Sequence, residues 1–285
     1  VSWDERQRRM LAAMGVRLWS PMPGMPVPSN EPPAAPAAAP IPVAAMPAPV
    51  PAAAPAPASA QIVLVEAPPS DRAAAIAALD WPALKDAVAA CTACRLCESR
   101  KRTVFGVGHA HADWLIVGEA PGEQEDIQGE PFVGPAGQLL DQMLRAIGQS
   151  RFVDGRRGEK DADDEAGDPA RRVFIANTLK CRPPRNRNPE PEEMALCEPF
   201  LKRQLALVRP RIILAMGRFA VKQLLRSDEA IGRLRGRVHR YEGVPVVVTY
   251  HPAYLLRNLP DKAKAWEDLC LAQRTAEEAG AVAGG

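Results

Sequence analysis

Four short runs of uninterrupted apolar residues constrain this chain more than any other feature. Trp114-Leu115-Ile116-Val117, Val173-Phe174-Ile175-Ala176, Ile212-Ile213-Leu214-Ala215 and the segment Val244–Thr249 each have the length of a strand. A strand with one wet face alternates apolar and polar residues, whereas a continuous run is buried on both faces. Segments with helical spacing separate them: residues 136–148, apolar at 139, 140, 143, 144 and 147; residues 191–208, opened by Pro191-Glu192-Glu193; and residues 218–226. A last helix is expected over 261–278. An earlier one starts at Asp80-Trp81-Pro82, with Asp as N-cap and proline in the first turn, and runs into Cys91. Strand–helix alternation builds a parallel sheet covered on both faces. The expected fold is α/β: a three-layer α/β/α sandwich with a four-stranded parallel central sheet, to which 237–241 can add a hairpin strand across Glu242-Gly243. Ligands in such sheets sit at strand carboxyl ends. That rule selects Gly118–Gly122, Asn177–Cys181, Gly217 and Tyr250–Tyr254.

Composition divides the rest. Residues 1–19 read as a short amphipathic peptide, with Met10, Leu11, Met14, Val16, Leu18 and Trp19 on its apolar face. Residues 20–60 are almost entirely Pro and Ala. Proline fixes φ and lacks an N–H, so such a tract is an extended tether rather than a packed fold. The expected organisation is a peptide at 1–19, a disordered Pro/Ala linker at 20–71, a folded domain at 72–278 and a flexible tail at 279–285. Segment 154–172, charged and glycine-rich, reads as a surface insertion. With 36 basic against 34 acidic residues the net charge is only +2, so bulk charge selects no partner. Basic residues cluster instead at 95–102, 171–187 and 233–240, as a binding stripe or as ordinary solvated surface. No apolar stretch is long enough to span a bilayer, and the first residues lack a signal peptide's apolar core. A cytoplasmic, nucleoid-associated monomer is expected. In a reducing compartment, six cysteines point to metal or catalysis rather than to disulfides.

Cys91-x2-Cys94 forms one pair of thiols and Cys181-x15-Cys197 a second. Four thiolates hold zinc or an iron–sulfur cluster. A zinc ribbon repeats its close pair, and the second pair here is too wide for that, which favours a cluster; buried free cysteines are the bland alternative. Cys97 and Cys270 are left over, and Cys97 can stand in for one of its neighbours. Gly118-Glu119-Ala120-Pro121-Gly122-Glu123-Gln124-Glu125-Asp126 follows the first strand. Its glycines allow close backbone approach, and its acids suit water positioning or polar recognition rather than a phosphate cradle. Asn177, just past the second strand, carries an amide able to donate and accept toward a polar ligand. His251 follows the last strand beside a proline-rigid turn. Phe132 is either core or a stacking platform.

GEAPGEQED, PFVGPAGQLLDQML, ANTLKCRPPRNRNP, ILAMGRFA and HPAYLLRN occur in the order and spacing seen in family 4 uracil-DNA glycosylases, which carry an iron–sulfur cluster. The resemblance covers about residues 82–272. It implies a [4Fe–4S] cluster on Cys91, Cys94, Cys181 and Cys197, with a structural role and Cys97 as an extra thiol. It implies a base-excision repair hydrolase, monofunctional, that flips deoxyuridine out of DNA and cleaves its N-glycosidic bond, leaving an abasic site. By resemblance Phe132 stacks on the flipped uracil, Asn177 reads its Watson–Crick edge and His251 stabilises charge on O2. Leu255 or Leu256 fills the vacated stack, Arg257 holds the strand, and Arg182 meets phosphate. Ala120 stands where better-known uracil glycosylases have a water-activating Asp, and Gly122 where they have a thymine-excluding Tyr. Water ordering then falls to Glu119, Glu125, Asn186 or backbone carbonyls, and Glu125 can help exclude thymine.

Two other classes compete. A related protein binds uracil in DNA without turnover and is trapped covalently by a histidine on a basic loop; the loop Arg182–Arg187 here has no histidine, which disfavours that reading. A replisome-tethered accessory role is the other. Residues 6–21 resemble the N-terminal peptide of the bacterial clamp-loader-associated psi subunit, through Leu11, Met14-Gly15 and Trp19-Ser20. A clamp-loader or other replisome protein is the partner this implies.

Overall fold

A computed structural model describes residues 71–151 and 173–283. The amphipathic peptide, nearly all of the Pro/Ala tract and the charged insertion lie outside these residues. The elements in chain order are α1 (Asp71–Ala77), α2 (Trp81–Ala89), α3 (Leu96–Ser99), β1 (Val107–Gly108), β2 (Trp114–Gly118), α4 (Glu123–Gln128), α5 (Gly134–Ala146) and β3 (Val173–Asn177). They continue as a 3-10 turn (Pro184–Asn186), α6 (Pro191–Val208), β4 (Ile212–Met216), α7 (Arg218–Leu225), α8 (Ile231–Leu234), β5 (Val238–Tyr241), β6 (Val244–Thr249), α9 (Pro252–Leu255) and α10 (Asp261–Ala283).

The four apolar runs are the four central strands. They lie parallel in the order β3-β2-β4-β6, with Gly118 opposite Asn177 and Met216 opposite Thr249. Each β2, β3 and β4 residue is buried, as a run without alternation requires. The sheet is wider than four strands. β5 pairs antiparallel with β6 in the expected hairpin, and two-residue β1 pairs antiparallel with β3 at the other edge. β1 is invisible in sequence because Val107-Gly108 is too short to carry a period.

Alternate strand residues feed two cores. Ile116, Ile175, Leu214 and Val247 meet Leu140 and Met143 of α5 and Trp266 and Leu269 of α10. Leu115, Phe174, Ile213 and Val248 meet Leu201 and Leu205 of α6 and Val221 and Leu224 of α7. On the outer side of α6, Phe200 packs with Ile76, Leu84 and Val88 of the first two helices. Asp80 caps α2 as expected, accepting from the Ala83 N–H at 2.9 Å. The last helix outruns its expected end at 278 and reaches Ala283, so the flexible tail expected from 279 is corrected; alanines at 279, 281 and 283 favour the extension.

Leu140 is fully buried at the contact of α5 with the sheet. Leu140→Ala is expected to lower unfolding free energy by about 2–5 kcal/mol, read by chemical denaturation.

Candidate active site

β2, β3 and β6 release their chains at the same edge of the sheet, and an open cleft of about 330 Å³ lies there. Glu119, Ala120, Gly122, Glu125, Phe132, Asn177, Asn186 and His251 all line it, so residues spread over more than 130 positions meet in one place. Asn177 is the most telling. Its side chain is 2% exposed, yet neither Nδ2 nor Oδ1 has a hydrogen-bond partner. A buried amide left unpaired is costly unless something else completes it. Its backbone carbonyl is held by the Lys180 ammonium at 2.8 Å, and that ammonium also donates to Gln204 Oε1 at 2.6 Å. Burial pulls the Lys180 pKa down to about 8. The turn after Asn177 is tied to β2, with Thr178 N–H on Gly118 O and Leu179 N–H on Glu119 O.

His251 caps α9, and its Nδ1 accepts from the Ala253 N–H at 3.2 Å. Burial first, and then the Arg257 charge, hold its pKa down at about 4. A neutral ring whose Nδ1 accepts must carry its proton on Nε2, so His251 is a neutral N–H donor. Phe132 stacks on it, with ring centroids 5.3 Å apart and planes inclined by 28°. Gly118 makes that packing possible: a Cβ there would come within 2.5 Å of the Phe132 ring and 2.4 Å of Asn177 Oδ1. Gly217, at φ +86°, lies against His251 from behind.

The two candidate carboxylates differ. Glu125 accepts from the Gly122 N–H and, at 2.6 Å, from the Phe132 N–H, one bond on each oxygen. It braces the cleft wall, and both of its oxygens are spoken for by backbone. The Glu119 carboxyl lines the cleft with its pKa raised by burial, opposed by Arg218. Asn186, at φ +55°, takes the Arg182 Nε–H at 2.7 Å, and Arg182 also approaches Glu123 at 3.7 Å. Arg187 pairs bidentately with Glu193 of α6 at 2.5 and 2.9 Å.

The leucine alternatives separate cleanly. Leu255 is fully buried in the α5–α10 core and cannot touch DNA, so its expected DNA contact is corrected; Leu256 is 41% exposed. Arg257 is exposed next to it.

A second cavity lies on the other side of the Asn177–Cys181 turn. Cys91, Cys94, Cys181 and Cys197 line it together with Val88, Leu96, Leu179 and Phe200; Cys97 does not. Three of these sulfurs face donors: Arg100 Nη1 to Cys181 at 3.2 Å, the Lys180 N–H to Cys197 at 3.3 Å, and Arg72 Nη2 to Cys91 at 3.7 Å. Burial pushes the Cys197 thiol up to about 12 and raises Cys94 and Cys181. Among the described residues no three His, Cys, Asp or Glu side chains converge on the position of a single metal ion. Cys270 packs elsewhere, against the α10 core. The basic run meets the thiol cavity and α4. Arg100 reaches Cys181, while the Lys101 and Arg102 N–H groups bond to the buried Asp126 carboxylate of α4. Lys180, Asp126 and Arg151 are three buried charges near the two cavities that sequence reasoning missed. A charged residue inside an otherwise apolar turn, as in Thr178-Leu179-Lys180-Cys181, is the one signal that pointed to any of them.

Because His251 is held neutral, the native state takes no proton there until about pH 4, whereas the unfolded chain takes one near 6.5. Native stability therefore falls as pH drops from about 6.5 toward 4, with no contribution above that window. An NMR titration of the His251 imidazole is expected to show an Nε2–H tautomer at pH 7 and a midpoint near 4.

The family model described as the uracil DNA glycosylase superfamily matches residues 105–270. The chain is 40% identical over 194 residues to a type-4 uracil-DNA glycosylase of Saccharolobus solfataricus, covering 65% of this chain and 81% of that protein. It is 40% identical over 177 residues to the type-4 uracil-DNA glycosylase of Archaeoglobus fulgidus, 59% and 79% of the two chains, and 39% identical over 177 residues to that of Thermotoga maritima, 61% and 82%. No described helix is long and apolar enough to cross a membrane. Family model, relatives and fold agree: the chain belongs to the uracil-DNA glycosylase superfamily, in its type-4 branch.

Proposed function

We propose that the cleft excises uracil from DNA with a division of labour that its own residues support. The chain is a uracil-DNA glycosylase, a hydrolase of N-glycosyl bonds that acts in DNA repair. The observation that carries the site assignment is Asn177, whose buried and unpaired donor and acceptor match the donor and acceptor on one edge of uracil. The base must leave the stack to reach it. Phe132 then supplies the stacking face and exposed Leu256 the wedge that enters the gap, with Arg257, Arg182 and the 95–102 run on phosphates.

The N1–C1′ bond breaks with its electron pair on uracil, while the sugar gains oxocarbenium character. The neutral His251 Nε2–H donates to O2, where the leaving anion concentrates charge. Water adds to C1′, and its proton passes to the Glu119 carboxylate, the acid left with free oxygens once Glu125 is bound to backbone. Lys180, tied to Asn177 O and Gln204, presents no amine to the sugar, which fits a monofunctional enzyme.

The thiol cavity fits a [4Fe–4S] cluster. Four thiols line it, and the facing cationic and N–H donors offset the charge of bound thiolates. In a cubane each thiolate takes its own iron, so the sulfurs stand apart rather than meeting at one ion. Its chemistry here is structural cross-linking: it would join α2, the Asn177–Cys181 turn and α6 behind the cleft.

On a uracil-containing oligonucleotide, wild type is expected to give free uracil and an abasic strand, and His251→Ala and Asn177→Ala to slow excision by about 10²- to 10³-fold with an unchanged circular dichroism spectrum. A denaturant-resistant protein–DNA adduct in place of free uracil would overturn this reading. Purified protein is expected to show broad visible absorbance that Cys181→Ala loses along with thermal stability; a colourless, zinc-containing wild type would reject the cluster.

A further inference from the structure

Phe132 adopts a backbone that an aromatic residue seldom takes. Its φ is +54°, and its ring is 2% exposed. Left-handed backbone at a bulky side chain costs about 1–3 kcal/mol and persists where the surroundings over-determine it. Here the surroundings are two charged side chains, a half-buried Glu125 and a wholly buried Arg151. Ahead of the residue, the Glu125 carboxylate takes the Phe132 N–H. Behind it lies Arg151, whose side chain is wholly buried. Arg151 Nη1 donates to Pro131 O at 2.9 Å, and Nη2 to Phe132 O at 3.0 Å and Gly137 O at 3.4 Å. Its Nε bonds to Asp141 Oδ1 at 2.7 Å, so the helix that the loop leads into also anchors the cation. Gly137 completes the grip, since a Cβ there would lie 1.6 Å from Phe132 O.

Burying a guanidinium is expensive, and an apolar side chain of similar size would often stabilise as well. The fork geometry is what an apolar residue lacks: it reaches three carbonyls and a carboxylate at once. We propose that Arg151 is a positioning residue for excision, acting through Phe132. It locks the carbonyls at 131, 132 and 137 so that the Phe132 ring is set against His251 and Gly118 before uracil arrives. Without that fork the peptide after Phe132 is released from the left-handed conformation and the stacking face swings out of register with Asn177. This proposal rests on the reading of Phe132 as the uracil-stacking face.

A double-mutant cycle on the full chain tests it, with single-turnover excision of a uracil oligonucleotide as readout for wild type, Arg151→Lys, Phe132→Ala and the double variant. Lysine keeps the charge and loses the fork. Arg151→Lys is expected to slow excision by about 10- to 100-fold, the cost of ångström-scale misplacement. In the Phe132→Ala background the same change is expected to cost nothing further, and affinity for a uracil-free oligonucleotide should stay at the wild-type value. Should Arg151→Lys fail to fold, Asp141→Ala, which keeps the carbonyl bonds and removes the anchor, is expected to give a smaller loss that also vanishes without Phe132. A wild-type rate in Arg151→Lys, or a loss that adds fully to Phe132→Ala, would overturn the proposal while leaving the glycosylase reading intact. A wild type that releases no uracil would reject that reading, and the proposal with it.

Discussion

Buried backbone must be hydrogen-bonded, and that single demand shapes the top of this molecule. The cleft is made of loops, and its loops are packed rather than solvated. With no ladder to satisfy them, their peptide groups are met by buried polar side chains. Lys180 holds Asn177 O, Glu125 holds Gly122 and Phe132, Asp126 holds Lys101 and Arg102, and Arg151 holds the carbonyls around Phe132. The exception is functional. Asn177 is equally buried and its amide is left open. A buried amide whose donor and acceptor are both unpaired presents an opening of defined polarity to the cleft.

The two cavities are coupled through a single short turn. Asn177 stands at one end, facing the cleft, and Cys181 at the other, facing the thiols. Lys180 between them bonds forward to Gln204 on α6 and back to Asn177 O, while its N–H serves Cys197. A cross-link at the thiols would therefore restrain the Asn177 amide in the cleft. The same logic ties down the basic run, through Arg100 to the thiol cavity and through Asp126 to α4.

How much of this was legible in advance follows from the range of each interaction. The central strands were, since Ile213 and Leu214 are buried on opposite faces and a run of such residues has one stable setting. So were Glu119, Asn177 and His251, because the carboxyl-end rule depends only on where strands stop, whereas Phe132, Glu125 and Asn186 came from the family resemblance. Which leucine is exposed was not, since Leu255 and Leu256 are alike until α9 turns one of them into the core. Nor was the role of Glu125. A carboxylate in an acidic loop looks free to hold water, and only folding brings Phe132 N–H to it across seven residues.

By itself the sequence determined the parallel sheet, the two pairs of thiols and the strand ends that bound the cleft, because periodicity and motif spacing are properties of the chain read in order; the family resemblance added Phe132, Glu125 and Asn186. Tertiary structure decided what those residues are free to do. Hydrogen bonds made on folding commit Glu125 and Arg151 to backbone, burial holds His251 neutral, and packing leaves the Asn177 amide unpaired. Availability is set by which partners a group has already found, and those partners are fixed by packing rather than by neighbours in sequence.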